Sequence, residues 1–578
     1  MRRYFLMIFV LLLLISCGRI SFPLIHPRPT VTVAAPFASA TIIPASPTTT
    51  LLPSITPSPF PSLTPSPIPT STSSIALFTV YYHPDGGLYV GDQVSFEVVS
   101  PPGLDVKDTT VQVRVDPPAG PALGSVKFAA WGIQGRSEAT FLWAWDTKTV
   151  PAGEHTLAFE VQPQGISWTE QVTLLPASDL PPGQTDAQWA VTTTQCCTVF
   201  YITETASERD LPTLTTMVDA QAQDAMAKMG ADFTEPITIT VLPRLLGHGG
   251  FTSSEISVSY LDRNYASTNW ALVVHHEMIH AIDAHLGGDF RPTMFVEGLA
   301  VYMTGGHYKP ESLMPRAAAL LDGYLNWYLP LIPLANDFYA SQHEIGYLEG
   351  ASLIEYMIQT YGEQAFFSFY RDIHNQPGES QSDSIDAALQ AHFSITFAHL
   401  EQDFLAALRD EPDTSTWLED VRLTVTYYDT MRRYQQWFDP SAYFRTAWLL
   451  DNKVMRERGI VEDYLRHPHA PENLALETLF ITAGLQMASN DHLLASQTLE
   501  QINTVLDGIE RGSTDPFSTS SIPADYISIC ATLQENSYEV QTISLNGDEA
   551  DTTVSGVSGP ELFSIHLKRI VGQWSIVP

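Results

Sequence analysis

The sequence has few basic residues for a chain of 578. Its 29 Lys and Arg residues stand against 64 Asp and Glu residues, which gives a formal net charge of -35. A nucleic-acid partner needs a basic surface against its phosphates, so the composition excludes one. Only 16% of the residues are charged and 44% are hydrophobic. The chain can therefore form packed cores, and its length suggests three or four domains at about 150 residues each.

Cysteine is scarce as well, with only Cys17, Cys196, Cys197 and Cys530. No CxxC pair is present, which argues against a zinc site built from cysteines. Cys196 and Cys197 are adjacent and are not expected to bridge each other. Whether one of them pairs with Cys530 stays open, because such a bond would persist only outside the cytoplasm.

The N-terminus lacks an apolar run long enough to span a bilayer comfortably. Arg2 and Arg3 precede an apolar run of twelve residues, 4–15, which is followed by Ser16, Cys17 and Gly18. Residues 1–17 are therefore predicted to be an export signal, with a plain signal peptide or an uncleaved anchor as the alternatives. The Leu-Ile-Ser-Cys stretch resembles the bacterial lipobox. This resemblance implies lipidation of Cys17 and a protein anchored in the cell membrane on its extracytoplasmic face.

Residues 18–75 are rich in Pro, Thr and Ser and predict a disordered, semi-rigid stalk. Residues 76–178 show apolar alternation at 94–98, 111–115, 141–147 and 153–161, which is typical of an immunoglobulin-like β-sandwich. A mixed α and β region follows at 186–410. The remaining segments are predicted to be a helical region at 411–512 and a small C-terminal α+β domain with a sheet at 513–578.

The motif His-Glu-x-x-His occurs at 276–280, within an apolar stretch that predicts a buried helix. Residues four apart share one face of a helix, so His276 and His280 can offer two imidazoles to one ion. Glu277 lies beside that position, where it can accept a proton from water at the metal. A helix with a structural histidine pair is the alternative.

A second apolar helix is predicted to start near 294, and it carries Glu297 seventeen positions after His280. A short loop with glycine and proline separates the two helices and allows Glu297 to lie beside the histidines. Two histidines and one glutamate leave a fourth tetrahedral position open, which is the pattern of a catalytic zinc site. The predicted cofactor is therefore Zn²⁺, held by His276, His280 and Glu297.

Together with the Glu-Gly-Leu-Ala segment at 297–300, the motif resembles the gluzincins, the group of thermolysin and the membrane alanyl aminopeptidases. The segment 346–353, Gly-Tyr-Leu-Glu-Gly-Ala-Ser-Leu, resembles the aminopeptidase stretch in which Gly-Ala opens a helix. The likeness covers roughly residues 190–408. It implies a zincin-type peptidase domain in a multidomain chain, with Tyr347 stabilising the oxyanion of the tetrahedral intermediate.

The aminopeptidase Gly-x-Met-Glu-Asn segment, whose glutamate holds the substrate's amino group, is absent from the sequence before His276. Glu255 is the nearest acid but lacks that context, so an endopeptidase acting on peptides or proteins is predicted. The alternative is a surface binding or scaffold lipoprotein with a non-catalytic metallopeptidase fold. Strand 256–260 is either an edge that pairs with an extended peptide or an ordinary core strand. The sequence predicts no oligomeric state.

Overall fold

The structure, a computed structural model, describes residues 78–577 apart from 102, 132–135, 244–248, 262, 376, 413, 441, 443–450 and 557–558. The predicted export signal with Cys17 and the predicted stalk lie outside the described residues, as does part of the glycine loop before Gly249. All described residues belong to one compact unit, Ser73–Pro578.

The N-terminal part contains two mostly antiparallel sheets that share one apolar core. Their strand orders are β1-β3-β7-β6 and β2-β9-β8-β4-β5. Alternate residues point inward, so Phe96, Phe141 and Phe159 are fully buried between the sheets. The strands are β1 Thr79–His83, β2 Leu88–Tyr89, β3 Gln93–Val99, β4 Thr110–Val115, β5 Ala122–Lys127, β6 Ala129–Trp131, β7 Arg136–Asp146, β8 Gly153–Gln162 and β9 Ile166–Leu175. The strands predicted from alternation lie at β3, β4, β7 and β8.

The central sheet has the strand order β10-β11-β12-β14-β13. Its elements are β10 Trp189–Thr193, β11 Cys197–Ile202, α1 Ala206–Arg209, α2 Leu211–Met229, β12 Ile237–Leu242, β13 Gly250–Thr252 and β14 Ile256–Ser259. The predicted strand at 256–260 is an interior strand, because β14 pairs with β12 on one side and with β13 on the other. The edge strand on this side of the sheet is the short antiparallel strand β13. Which strand lies at the edge could not be predicted, because the sequence does not show which strands pair with each other.

Eight helices follow the central sheet among the described residues: α3 Trp270–Leu286, α4 Thr293–Thr304, α5 Leu313–Ala319, α6 Leu331–Asn336, α7 His343–Tyr361, α8 Glu363–Arg371, α9 Gln381–Phe393 and α10 Phe397–Asp410. Helices α4 and α7 approach so closely that a Cβ on Gly298 would lie 2.5 Å from the carbonyl carbon of Gly350. The prediction that Gly350-Ala351 opens a helix is wrong, because α7 already begins at His343, where the Gln342 side chain accepts a hydrogen bond from the backbone N–H of Ile345.

The C-terminal part consists of helices packed on a four-stranded antiparallel sheet of order β15-β16-β17-β18. Its elements are α11 Ser415–Phe438, α12 Asn452–Arg458, α13 Glu462–Leu465, α14 Pro471–Ala488, α15 His492–Glu510, α16 Ser521–Glu535, β15 Tyr538–Asn546, β16 Glu549–Gly556, β17 Gly559–Ile570 and β18 Gln573–Val577. One core contains Phe480 of α14, Ile502 of α15 and Val540 of β15. The predicted helical region and the predicted C-terminal domain therefore share a core.

The expectation for the cysteines was wrong. Cys196 and Cys197 form a disulfide with each other across adjacent positions. Cys196 lies in the turn before β11 and Cys197 is the first residue of that strand, where its backbone N–H donates a hydrogen bond to the hydroxyl of Thr194. Cys530 is buried in the C-terminal core, away from both, and burial raises the pKa of its thiol to about 12. The sulfurs of Cys196 and Cys197 are therefore bonded to each other, whereas Cys530 is a free thiol in the C-terminal core.

The prediction of a multidomain chain that mixes sheets and helices and ends in a small sheet is confirmed. Among the described residues, no helix is both long enough and apolar enough to span a bilayer.

Candidate metal centre and its surroundings

Helix α3 carries both histidines of the motif. Its first turn is capped by Asn269, whose side chain accepts a hydrogen bond from the backbone N–H of Ala271. Val274 and Met278 are fully buried, so packing fixes the rotation of the helix about its axis. His276 and His280 then face the same side one turn apart, and their Nε2 atoms lie 3.0 Å from each other.

Glu297 on α4 completes the cluster. Its Oε2 atom lies 3.3 Å from Nε2 of His276 and 3.3 Å from Nε2 of His280. A tetrahedral zinc ion with bonds of about 2.0–2.1 Å holds neighbouring donor atoms about 3.3 Å apart. The three donor atoms therefore fit a single ion of that size. Three protein donors are also the number used by catalytic zinc sites, which keep a fourth position for water or substrate.

The three side chains of the cluster interact strongly through their charges. Burial lowers the pKa of His280, but Glu297 raises it by more, and the result is about 9. Burial raises the pKa of Glu297, but the two histidines outweigh it and hold that pKa well below its usual range. A proton thus resides on the cluster when no metal is bound. Metal binding would displace that proton, as it does at histidine ligands generally.

The two imidazole rings are oriented by packing. In the part of the chain that the structure describes, the Nδ1 atoms of His276 and His280 have no hydrogen-bond partner. Asp283, a candidate for this role because it follows His280 by three residues, instead accepts hydrogen bonds from Arg291 at 2.8 Å and Tyr370 at 2.9 Å. Asp283 therefore joins α3 to the following loop and to α8.

Tyr339 is a site residue that the sequence did not reveal. Its hydroxyl donates a hydrogen bond of 2.6 Å to Oε1 of Glu297, which leaves Oε2 directed at the histidines. Tyr339 lies in a short 3-10 turn, Phe338–Ala340, and no motif marks it. A tyrosine forty-two positions from its partner carries no sequence signal in a single chain, so only the folded structure identifies it.

The side chain of Glu277, on α3, is enclosed between that helix and the edge strand β13. The hydroxyl of Thr252 donates a hydrogen bond of 2.7 Å to its Oε2 atom. A Cβ at Gly250 would lie 2.6 Å from Cγ and 2.8 Å from Oε1 of Glu277, so only glycine lets the strand pass this close. Burial raises the pKa of Glu277, while His280 and His276 lower it in part. The carboxylate is thus enclosed, close to the imidazoles and held by one hydroxyl.

Tyr347 lies in the second turn of α7, on the same side of the site as His276. Its ring stacks on that of His307 at 4.1 Å between centroids and lies 6.3 Å from the ring of His276. Burial and the charge of Glu297 raise the pKa of Tyr347 well above its usual range, so the phenol keeps its proton and can donate it.

Helix α11, from the region with no predicted role, supports the start of α7. The guanidinium of Arg432 pairs with the carboxylate of Glu344, three residues before Tyr347. Burial alone would raise the pKa of Glu344, but Arg432 outweighs it and holds that pKa at about 2. The hydroxyl of Tyr308 lies 3.2 Å from Nε2 of His343, and its ring contacts that of Tyr428.

His275, which directly precedes the motif, and Glu255, the nearest glutamate before it, lie away from the cluster. His275 is buried, with Nδ1 2.9 Å from the hydroxyl of Thr304 and Nε2 3.0 Å from Asp224 of α2. Glu255 forms an ion pair of 2.6 Å with Arg456 of α12. Neither faces the metal position, and Glu255 is not placed to hold a substrate's amino group.

No known family model matches the chain, and a comparison with curated proteins gave no match.

Proposed function

We propose that this chain is a zinc-dependent peptidase of the gluzincin type, with a zincin-type central domain. The observation that carries the proposal is the convergence of His276, His280 and Glu297, whose donor atoms lie 3.0–3.3 Å apart. Two imidazoles and one carboxylate form a donor set that suits zinc. A zinc ion there would supply Lewis-acid chemistry, which acidifies water and polarises a carbonyl group.

Glu277 is proposed to move the proton in the reaction. Its carboxylate takes a proton from the attacking water and passes it to the amine of the departing peptide. The hydrogen bond from Thr252 to Oε2 orients this carboxylate and leaves Oε1 for the water. Enclosure between α3 and β13 keeps bulk water from competing for the proton.

Tyr347 is proposed to stabilise the oxyanion that forms when the carbonyl is attacked. Its raised pKa keeps the phenol protonated, so it can donate a hydrogen bond to the developing charge. Tyr339 acts differently, because its hydroxyl is engaged with Oε1 of Glu297. We assign Tyr339 the positioning of a metal ligand, as outer hydrogen bonds do at metal sites generally.

An endopeptidase is favoured by the edge strand beside Glu277. Strand β13 pairs with β14 on one side, and its other side is the edge of the sheet. An extended peptide can add to such an edge through its backbone, with no need for a free terminus. The pairing of Glu255 with Arg456 supports the same choice, because it leaves that acid engaged elsewhere.

The anchoring and location are also part of the proposal. Cys17 would carry the lipid, the stalk at 18–75 would hold the remainder away from the membrane, and the reaction would take place on the extracytoplasmic face. The N-terminal pair of sheets would be an immunoglobulin-like spacer. Substrates would be peptides or proteins that reach this surface.

The test is the metal dependence of peptide-bond hydrolysis by the full chain in detergent. A denatured protein mixture is incubated with the enzyme, and new N-termini are identified by mass spectrometry. We expect internal cleavage that stops when a chelator removes the metal and returns when zinc is added. Cleavage that persists in the fully metal-free protein would overturn the proposal, and so would zinc-loaded protein that produces no new termini.

A further inference from the structure

A second group of potential metal ligands lies in the C-terminal part, on elements separate from those of the site described above. His467 and His469 belong to the loop between α13 and α14, and Glu539 belongs to β15. Each offers a donor atom, and these atoms all lie within 4.8 Å of one another. All three residues are partly exposed, so an ion can reach them from solvent.

The two histidines are presented together by the loop. Pro468 between them restricts the backbone, and the imidazole centroids lie 4.5 Å apart. The loop is fixed at both ends: Arg466 pairs with Asp92 at 2.8 Å, and Gln534 donates a hydrogen bond to the backbone oxygen of His469. The backbone that carries the histidines is therefore fixed before any ligand arrives.

Glu539 is oriented by a buried guanidinium. Arg263 pairs with Oε1 of Glu539 and, on its other side, with Glu477 at 2.6 Å. The second oxygen, Oε2, faces the loop and lies 3.8 Å from Nδ1 of His469. Two carboxylates stand around one guanidinium, so these three charges sum to a net negative charge that a cation would offset.

We propose that His467, His469 and Glu539 form a second divalent-metal site, with zinc as the preferred ion. Two imidazoles and one carboxylate oxygen are borderline ligands that bind zinc better than calcium or magnesium. The 3.8 Å between Nδ1 of His469 and Oε2 of Glu539 exceeds the about 3.3 Å of a tetrahedral site, and small rotations of these partly exposed side chains would close that difference.

The ion would have a structural role at this place. The loop that carries both histidines contacts the loop between β1 and β2 of the N-terminal part, since the backbone oxygen of His467 lies 3.5 Å from the position of a Cβ on Gly86. Glu539 lies on the first strand of the C-terminal sheet. One ion would therefore tie that sheet to the loop and, through the loop, to the N-terminal module. An ion that binds only the folded chain raises its melting temperature.

The test measures zinc stoichiometry and affinity in the full chain in detergent, by metal analysis after dialysis and by calorimetric titration. Three variants are compared with the parent: His467→Ala/His469→Ala for this site, His276→Ala/His280→Ala for the first site, and His374→Ala as a control. His374 is an exposed histidine outside both groups. We expect two ions in the parent and the control, and one ion in each double variant.

Two further results are expected for His467→Ala/His469→Ala. The zinc-induced rise in melting temperature should shrink, and binding at this site should weaken by at least about tenfold, which is what loss of even an outer partner costs a metal site. A single ion in the parent that disappears in His276→Ala/His280→Ala would overturn the second site and keep the first. A single ion that disappears only in His467→Ala/His469→Ala would do the reverse. Zinc loading that is equal in all four proteins, or absent from all, would overturn the proposal, since His469 then only forms an ion pair with Glu539.

Discussion

At the scale of single residues, the site contains two neighbouring phenols with different assignments. Burial raises the pKa of both phenols, but Tyr347 stacks on His307 whereas the Tyr339 hydroxyl donates a hydrogen bond to Glu297. A donor used in the transition state affects turnover, and a donor used to hold a ligand affects metal affinity. The two roles can therefore be separated by measuring both quantities.

We predict that Tyr347→Phe lowers kcat by about 10²–10³, or about 2.7–4 kcal/mol, because one oxyanion donor is lost. KM should stay nearly unchanged, since the interaction is made only in the transition state. Zinc content and Tm should match the parent, because only one oxygen is removed. Steady-state kinetics with one peptide substrate measures both parameters.

Tyr339→Phe is the matched comparison for that measurement. It should weaken zinc binding by about 10–100-fold and, once zinc is saturating, leave kcat within a few-fold of the parent. If Tyr347→Phe changes kcat by only a few-fold, or loses activity in step with unfolding, Tyr347 is a packing residue and its assignment is wrong.

At the scale of elements, the approach of β13 to α3 fixes the position of Glu277. Gly250 has no room for a side chain, whereas a Cβ at Gly249 would meet nothing within 4 Å. Both glycines lack the positive φ that would make any substitution strained. A comparison of substitutions at Gly250 and Gly249 therefore separates the loss of the contact between β13 and the Glu277 carboxylate from the general effect of replacing a glycine.

Gly250→Ala is predicted to lower kcat/KM by up to about 10²-fold, because a displacement of about 1 Å in a reacting group can cost that much. Gly249→Ala should leave kcat/KM and zinc content unchanged. Kinetics and metal analysis of the two variants provide the comparison. Equal activity in both would show that β13 does not position Glu277.

Much of this element structure could be predicted from the sequence. Helix α2 ends at Gly230, which is in the left-handed conformation, and strand β12 covers the alternating residues Ile237–Leu242. These elements carry local signals, namely a capping glycine and apolar alternation. No local signal marks the edge strand β13 or Tyr339, because the role of each depends on which distant segment lies beside it. No local signal marks the Cys196–Cys197 bond either, because it depends on the shape of the turn that carries it. His276, His280 and Glu297 could be predicted because residues four apart share one face of a helix and because Glu297 begins the Glu-Gly-Leu-Ala segment of the next helix.

At the scale of the whole molecule, the N-terminal sheets and the C-terminal part meet at a group of buried acids. Trp143 of β7 donates a hydrogen bond of 3.1 Å to Asp463 of α13. Burial, and then the neighbouring Glu462, raises the pKa of Asp463 to about 7. The usual value in an unfolded chain is about 3.9. A carboxyl group with a raised folded pKa contributes stability that is complete below pH 4 and is lost as pH rises through about 7.

Asp463→Asn removes that titration and should keep the hydrogen bond from Trp143. We predict that the Tm of the variant exceeds that of the parent by on the order of a few °C at pH 8, and that this difference shrinks towards pH 5. Calorimetry at four pH values gives the comparison, with exposed Asp146→Asn as the control. A difference that does not change with pH would contradict the account of Asp463.

The membrane anchor is tested at the N-terminus of the whole chain. Cys17→Ala is predicted to release the protein from the membrane fraction or to block its processing, because the proposed lipid would be attached to the cysteine sulfur. Immunoblots of fractionated cells measure the distribution. A variant that stays in the membrane fraction in the same proportion as the parent would exclude lipidation at this position.

The central claim is metal-dependent hydrolysis with Glu277 as the base, and the turnover of Glu277→Gln tests it most directly. The amide is nearly isosteric with the carboxylate and can still accept the hydrogen bond from Thr252, but it cannot take the proton of water. We predict that the variant binds zinc and melts as the parent does while its kcat falls by at least about 10²-fold, the lower end of what a general base contributes. Hydrolysis at the parental rate by zinc-loaded Glu277→Gln would contradict the account.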